Sequence, residues 1–225
     1  MSDLRDSLAR SLHAAAELEA ELVALCDDSP PRTPGSWTPK DHLAHLAAWR
    51  EHAADVLDEM RAGRTPASGN GVDPRNARIY AENRDVPAAE VRARAGASYG
   101  RLLAAIAACS DDVLLAPRGS FGRVWELVPG NGIYHVGEHL LFWHMERGDP
   151  TAAEHAARRA YEIDVALFDD PAHRGSTTYN LGCLYVRVGR TDEAVALLEQ
   201  SFEYVPDLRR WAQEDADLES IRDRL

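Results

Sequence analysis

The sequence predicts an all-α protein, in which a four-helix bundle is followed by a helical hairpin and a capping helix. Apolar residues recur three and four positions apart in several long blocks, which is the spacing of one helix face. The alternation of Val, Ile and Thr with polar residues that marks strands is almost missing. Stretches rich in Pro and Gly separate the blocks. Four long helices joined by loops bury their apolar faces as a bundle.

The first two helices of the bundle have clear boundaries in the sequence. Leucines recur along one side of residues 2–26, and the helix should stop at the Ser-Pro-Pro triplet of 29–31. The second helix begins at Thr38, a good N-cap residue. Pro39 suits the first helical turn, and Asp41 stands where a capping box needs its acidic partner.

Five further elements complete the predicted bundle domain. They are, in chain order, a loop at 63–72, a short helix that starts at 73, a third long helix over 88–109, an irregular segment at 110–131 and a fourth long helix that ends at 148. The irregular segment is predicted from scattered Pro and Gly residues. We therefore expect residues 1–148 to form the bundle domain.

Residues 149–225 are predicted to form a second helical segment, which Asp149 and Pro150 open as cap and first-turn proline. The stretch TYNLGCLYVRVGRTDEAVALLEQSFEYVP resembles a tetratricopeptide repeat. The residues in register with that pattern are Leu181, Gly182, Tyr185, Gly189, Ala194 and Pro206. Such a hairpin either binds a partner protein in a groove or serves as a packing element. A single repeat offers little concave surface, which favours packing.

Composition excludes several classes of protein. A formal net charge of -12 repels a phosphate backbone, and no basic cluster with interleaved aromatic residues occurs, so we expect no nucleic-acid partner. No apolar run approaches the ~20 residues of a membrane span, and the N-terminus is unlike a secretory signal. We expect a cytoplasmic protein. Its three widely spaced cysteines predict reduced, structural thiols.

Three histidines form the candidate metal site. His135 and His139 are four residues apart on the fourth helix, so both rings can point at one atom. If chain direction alternates through the bundle, His45 on the second helix lies at a similar depth from the same end. Three neutral imidazoles suit zinc, nickel or another divalent first-row ion and leave a coordination position open. The alternative is that these are core histidines bonded to carbonyl groups.

Glu138 lies within the same run and has two interpretations of its own. A carboxylate beside a metal can accept a proton from water or a thiol, or Glu138 is a solvated charge on the helix face. The run HVGEH also matches the H-x-x-E-H pattern of inverzincin peptidases. That interpretation requires a third ligand far downstream in a much larger chain, which makes it the weaker one.

The order of these motifs resembles a known family. Trp37, Asp41, His45 and Trp49, with an HxxxH pair far downstream, resemble the DinB-like superfamily of four-helix bundles. The middle segment is similar to the ClbS/DfsB branch, and the residues that carry this similarity are Asn76, Ile79, Tyr80, Asn83, Leu102 and Leu103. The resemblance covers about residues 2–148 and implies that His45, His135 and His139 bind a divalent metal ion.

The resemblance implies an enzyme that acts on a small electrophilic molecule. Relatives hydrolyse a strained ring, with or without metal, or transfer a low-molecular-weight thiol such as mycothiol or bacillithiol. We expect a metal-dependent hydrolase or thiol transferase, with Trp49, Tyr80 and Asn83 lining the substrate pocket. The family also implies a homodimer. The alternative from a different class is a noncatalytic interaction scaffold, in which residues 149–225 bind a protein partner.

Overall fold

The computed structural model describes residues 2–66, 71–118 and 122–225. It confirms the all-α fold class. Within these described ranges the only strands are β1 (Pro117–Arg118) and β2 (Gly122–Arg123), a two-residue antiparallel pair. Residues 67–70 of the predicted loop and residues 119–121 of the predicted irregular segment lie outside the described residues. No helix in the described chain is long and apolar enough to cross a bilayer.

Backbone contacts divide the chain into two compact units, Met1–Val136 and Gly137–Leu225. The helices of the first unit are α1 (Ser2–Leu25), α2 (Pro39–Arg61), α3 (Val72–Asn83), α4 (Ala88–Ala108), α5 (Asp111–Leu115) and the single turn α6 (Leu127–Pro129). The boundary between the units falls inside the helix α7 (His135–Glu146). The predicted domain boundary at residue 148 stays a prediction.

The start of α2 is fixed by the cap that the sequence predicts. The Thr38 hydroxyl oxygen accepts from the backbone N–H of Asp41 at 3.2 Å, and the Asp41 carboxylate accepts from the backbone N–H of Thr38 at 2.8 Å. These two bonds satisfy donors that a helix N-terminus leaves open. They fix the first turn of the helix that carries His45.

The core of the first unit is formed by leucines of α1, α2 and α4. Leu8, Leu12 and Leu22 of α1 are fully buried, as are Leu43 of α2 and Leu102 of α4. The leucine face of α1 is not buried along its whole length, because Leu25 at the helix end is 46% exposed.

The segment predicted to be irregular, residues 110–131, leads directly into the fourth helix. A 3-10 turn (Val124–Glu126), α6 and a π-helical turn (Gly130–Tyr134) come directly before α7. Regular α-helix is therefore limited to the 12 residues of α7, against 21 to 24 residues in α1, α2 and α4. Pro129 and the two glycines of the Gly-Asn-Gly stretch are poor helix formers, which explains the irregular start.

The second unit continues with further helices, the first of which starts at Asp149 and Pro150 as predicted. They are α8 (Pro150–Val165), α9 (Pro171–Arg187), α10 (Thr191–Tyr204), α11 (Asp207–Ala212) and a terminal 3-10 segment (Ala216–Arg224). Asp149 and Asp170 cap α8 and α9 with their side chains. A Cβ at Gly182 would lie 2.9 Å from Leu198, so the glycine permits the close approach of α9 and α10.

Candidate metal centre

Three histidine side chains meet at one point. His45 extends from α2, and His135 and His139 lie one turn apart on α7. One ring nitrogen of each lies within 4.8 Å of the other two. His45 and His139 are buried, and His135 is half-buried. Residues far apart in sequence thus form a compact group of nitrogen ligands that could hold a metal ion.

The spacing of the nitrogens suits a single first-row ion. His45 Nε2 and His135 Nε2 are 3.2 Å apart. Two imidazole nitrogens bound at about 2.0–2.1 Å in tetrahedral geometry are separated by about 3.3 Å. The two rings are inclined at 72° with centroids 5.0 Å apart, so they meet edge to edge at their nitrogens. This pair therefore has the separation expected of two ligands of one metal ion.

Burial keeps these imidazoles in the form that binds metal. Desolvation lowers the pKa of His45 from its usual 6.5 to about 4. Desolvation, and after it the electrostatic interactions with His45 and Arg50, lowers the pKa of His135 to about 3. Both rings are consequently neutral at pH 7, and each has a nitrogen lone pair to donate.

The irregular start of the fourth helix sets the position of His135. The π-helical turn ends at Tyr134, directly before His135. A π turn adds one residue and rotates the next turn of the chain relative to a continuous α-helix, and such turns recur at functional sites. Gly132, inside the turn, lies against Leu12 of α1, where a Cβ would come within 2.5 Å of Leu12 Cδ2. The glycine lets the turn pack against α1.

Aromatic rings surround the histidines of the first unit. The Trp37 ring lies 5.1 Å from His45 and 5.3 Å from His42, measured between ring centroids. The Trp49 ring lies 6.3 Å from both His45 and His135. His42 is 2% exposed, and burial, followed by the electrostatic interaction with His45, lowers its pKa to about 3. These rings therefore border the site on one side.

The three predicted pocket residues have different positions. Trp49 borders His45 and His135 directly. Tyr80 is 40% exposed and stacks on Trp37 at 6.1 Å, so it lies at the outer side of the aromatic group. Asn83 is buried; its side chain donates to the Ile79 carbonyl and accepts from Arg94. A pocket role for these residues stays a prediction, and Asn83 is occupied by contacts that stabilise α3.

Glu138 is held in an ion pair rather than solvated on the helix face. Its carboxylate accepts from Arg187 Nη1 at 2.9 Å, and the same guanidinium donates to Asp217 at 2.9 Å. The Glu138 side chain is 18% exposed. Burial raises its pKa, and Arg187 opposes that rise. A carboxylate held by an arginine is a poor general base, which weakens the peptidase interpretation of the HVGEH run.

Comparison with known proteins decides the family. The model of the DinB superfamily matches residues 4–149, which is more than half of the 225 residues. The chain belongs to the DinB superfamily. No curated protein and no solved structure matches it. The region matched to the DinB superfamily includes His45, His135 and His139, whereas α8 begins at Pro150, directly after it.

Sequence reasoning did not predict the contacts of three side chains in this DinB-superfamily protein. Asn76 accepts a 3.0 Å hydrogen bond from Trp49 Nε1, and Arg75 lies over the Trp49 ring. Arg187, which binds Glu138, comes from α9. None of the three has a spacing signal, because side chains that meet across separate helices leave no periodic pattern in sequence.

Proposed function

We propose that this protein is a metal-dependent enzyme acting on a small electrophilic molecule, with His45, His135 and His139 as the ligands of one divalent ion. The observation that carries the proposal is the meeting of three ring nitrogens within 4.8 Å. Zinc or nickel suits three imidazoles best. Three ligands from the protein leave a coordination position for a reactant, which is the arrangement of catalytic rather than structural sites.

The residues of the chain have distinct tasks in this proposal. A divalent ion, when bound, supplies Lewis-acid chemistry that makes water or a thiol nucleophilic near neutral pH. The low pKa values of His45 and His135 keep both rings available as ligands. Trp37 and Trp49 border the site and keep it poor in water, which strengthens the electrostatic interactions inside it.

Finer assignments belong to the same proposal. The similarity of the middle segment to the ClbS/DfsB branch favours hydrolysis of a strained ring, and other relatives favour transfer of mycothiol or bacillithiol. The presence of all three histidines supports a metal-dependent reaction in either case. For residues 149–225 we propose a tetratricopeptide-like packing element rather than a partner groove, because Gly182 and the buried Ala194 serve the approach of α9 and α10.

Metal content tests the proposal first. Protein purified without an affinity histidine tag and without added metal should contain close to one divalent ion per chain by elemental analysis. His135→Ala should lower that content to near zero, because two imidazoles hold an ion much more weakly than three. His155→Ala is the matched control, since His155 is exposed on α8. A wild-type content near zero that His135→Ala leaves unchanged contradicts the proposal.

Turnover of a model electrophile tests the proposed reaction. Styrene oxide is incubated with the metal-loaded protein alone and with mycothiol or bacillithiol, and the products are separated by chromatography. A diol identifies a hydrolase and a thioether identifies a thiol transferase. Activity should disappear with a chelator and return with zinc or nickel. Turnover that survives chelation instead identifies the ring hydrolase that works without metal.

A further inference from the structure

Arg75 is a half-buried cation beside the candidate metal centre. It lies on the first turn of α3, and its guanidinium carbon is 5.4 Å from the centroid of the Trp49 ring. The same ring has the imidazoles of His45 and His135 as neighbours, each at 6.3 Å. One indole therefore contacts both the guanidinium and two of the proposed ligands.

The position of Trp49 relative to Arg75 is fixed by a hydrogen bond. Trp49 Nε1 donates to the side-chain oxygen of Asn76, the residue after Arg75, at 3.0 Å. His52 packs edge-on against the same indole at 5.5 Å. Burial, and after it the charge of Arg75, lowers the pKa of His52. The positive charge of Arg75 therefore acts on the rings of Trp49 and His52.

Arg75 has no carboxylate partner within the ranges that the structure describes. In a chain with 37 acidic and 25 basic residues, the Arg75 guanidinium lies over the Trp49 ring instead of beside a carboxylate. Neighbouring arginines show the contrast. Arg94 donates to both carboxylate oxygens of Glu51, through Nε and Nη2. The exposed Arg78, on the same helix as Arg75, lies 3.8 Å from the Glu82 carboxylate. The indole face compensates only part of the lost hydration.

We infer that Arg75 binds a carboxylate group of the substrate. A guanidinium presents two parallel N–H donors that match the two oxygens of a carboxylate, which makes arginine the preferred residue for this group. The inference rests on the proposed function and adds the substrate class to it. The substrate is a small organic acid. Its electrophilic carbon and its carboxylate are separated by about the width of one indole ring. Trp49 is the surface between the two ends.

Binding of a matched pair of probes tests this inference. The probes are 4-fluorobenzoate and 4-fluorobenzamide, which share shape but differ in charge, and their affinities are measured by ligand-observed fluorine NMR. Wild-type protein should bind the benzoate about 10-fold more tightly than the amide, as a charged hydrogen-bonded pair allows. Arg75→Gln should remove that preference. Arg75→Lys should keep part of it, because the charge remains but the forked geometry is lost.

Controls separate this inference from the metal proposal. Arg78→Gln, an exposed change on the same helix, should leave both affinities unchanged, and circular dichroism checks that each variant is folded. The titrations are repeated on chelator-treated protein, where the benzoate preference due to Arg75 should persist even if the metal proposal fails. Equal or undetectable binding of the two probes by wild type overturns the inference. A benzoate preference that Arg75→Gln leaves intact also overturns the inference. The same holds for a preference that is lost only when the metal is removed.

Discussion

Arg50 is a fully buried charge in the middle of α2. Its guanidinium donates to both carboxylate oxygens of Glu19 on α1, at 2.6 and 2.9 Å, and to the Ser98 hydroxyl at 2.8 Å. The Tyr99 hydroxyl donates to Glu19, and the Tyr99 ring lies 4.0 Å from the guanidinium carbon. Burial raises the pKa of Tyr99, so its proton stays in this bond. The cluster fixes how α1, α2 and α4 align.

Removal of one member of this buried pair should be strongly destabilising. Arg50→Met leaves Glu19 buried without its partner, which should cost about 3–5 kcal/mol in the free energy of unfolding by urea. The double change Glu19→Leu with Arg50→Met removes both charges and should cost less than Arg50→Met alone. Arg64→Gln, which breaks an exposed ion pair with Glu59, is the control and should have no measurable effect. An Arg50→Met variant as stable as the control contradicts this account.

Single residues differ in how well the sequence predicts their roles. The pairing of His135 with His139 follows from helix geometry, and the depth of His45 follows from counting residues along parallel helices. The structure brings all three together. The partner of Glu138 could not be predicted, because Arg187 is 49 residues away and belongs to another helix. Helical periodicity relates residues of one helix to each other, whereas contacts between helices depend on packing that the pattern does not specify.

At the scale of elements, the helix that carries His135 and His139 depends on a glycine at its packed face. A Cβ at Gly137 would lie 2.4 Å from the Ala160 Cβ of α8, and 3.5 Å from the Ala156 carbonyl. No flexible side chain is present to move aside, because the neighbour is a methyl group close to the α8 backbone. The spacing of α7 and α8 is therefore set by the absence of a side chain at residue 137.

Gly137→Ala should accordingly destabilise the protein. Inserting one methyl group into this contact should cost about 1–3 kcal/mol through overpacking, measured as the free energy of unfolding in urea with a chelator present. Gly96→Ala is the matched control, since Gly96 is exposed in the middle of α4 and nothing lies within 4 Å of its added Cβ. That change should stabilise the protein by about 0.5–1 kcal/mol. Equal effects of the two substitutions would refute the close-packing argument.

Local and tertiary signals explain which elements the sequence predicts well. Thr38 and Asp41 start α2 as predicted, because a capping box involves only neighbouring residues. The sequence predicts irregular backbone up to residue 131, and there the Gly-Asn-Gly stretch forms a π turn before α7. Helix propensity alone cannot separate a loop from a π turn. Packing of Gly132 against Leu12 supplies a tertiary contact that stabilises the helical form.

At the scale of the whole molecule, buried neutral histidines make stability depend on pH. The pKa values of His42 and His135 fall to about 3 and that of His45 to about 4, chiefly through burial. In an unfolded chain each ring has a pKa near 6.5. Below that pH these histidines bind protons in the unfolded state but stay neutral in the folded state. The stability that these histidines contribute is complete above about pH 6.5 and is lost as pH falls towards the folded pKa values.

Metal-free protein should therefore lose stability between pH 7.5 and pH 5. Each buried imidazole should lower the free energy of unfolding by about 1–2 kcal/mol over this interval, measured by urea unfolding with a chelator throughout. Carboxylates change little here, since their usual pKa values lie near 4. His42→Gln removes one titrating ring and should reduce the loss by about a third. His155→Ala, at an exposed position, should leave the loss unchanged. A free energy of unfolding that stays constant from pH 7.5 to 5 would show that these rings accept protons in the folded state.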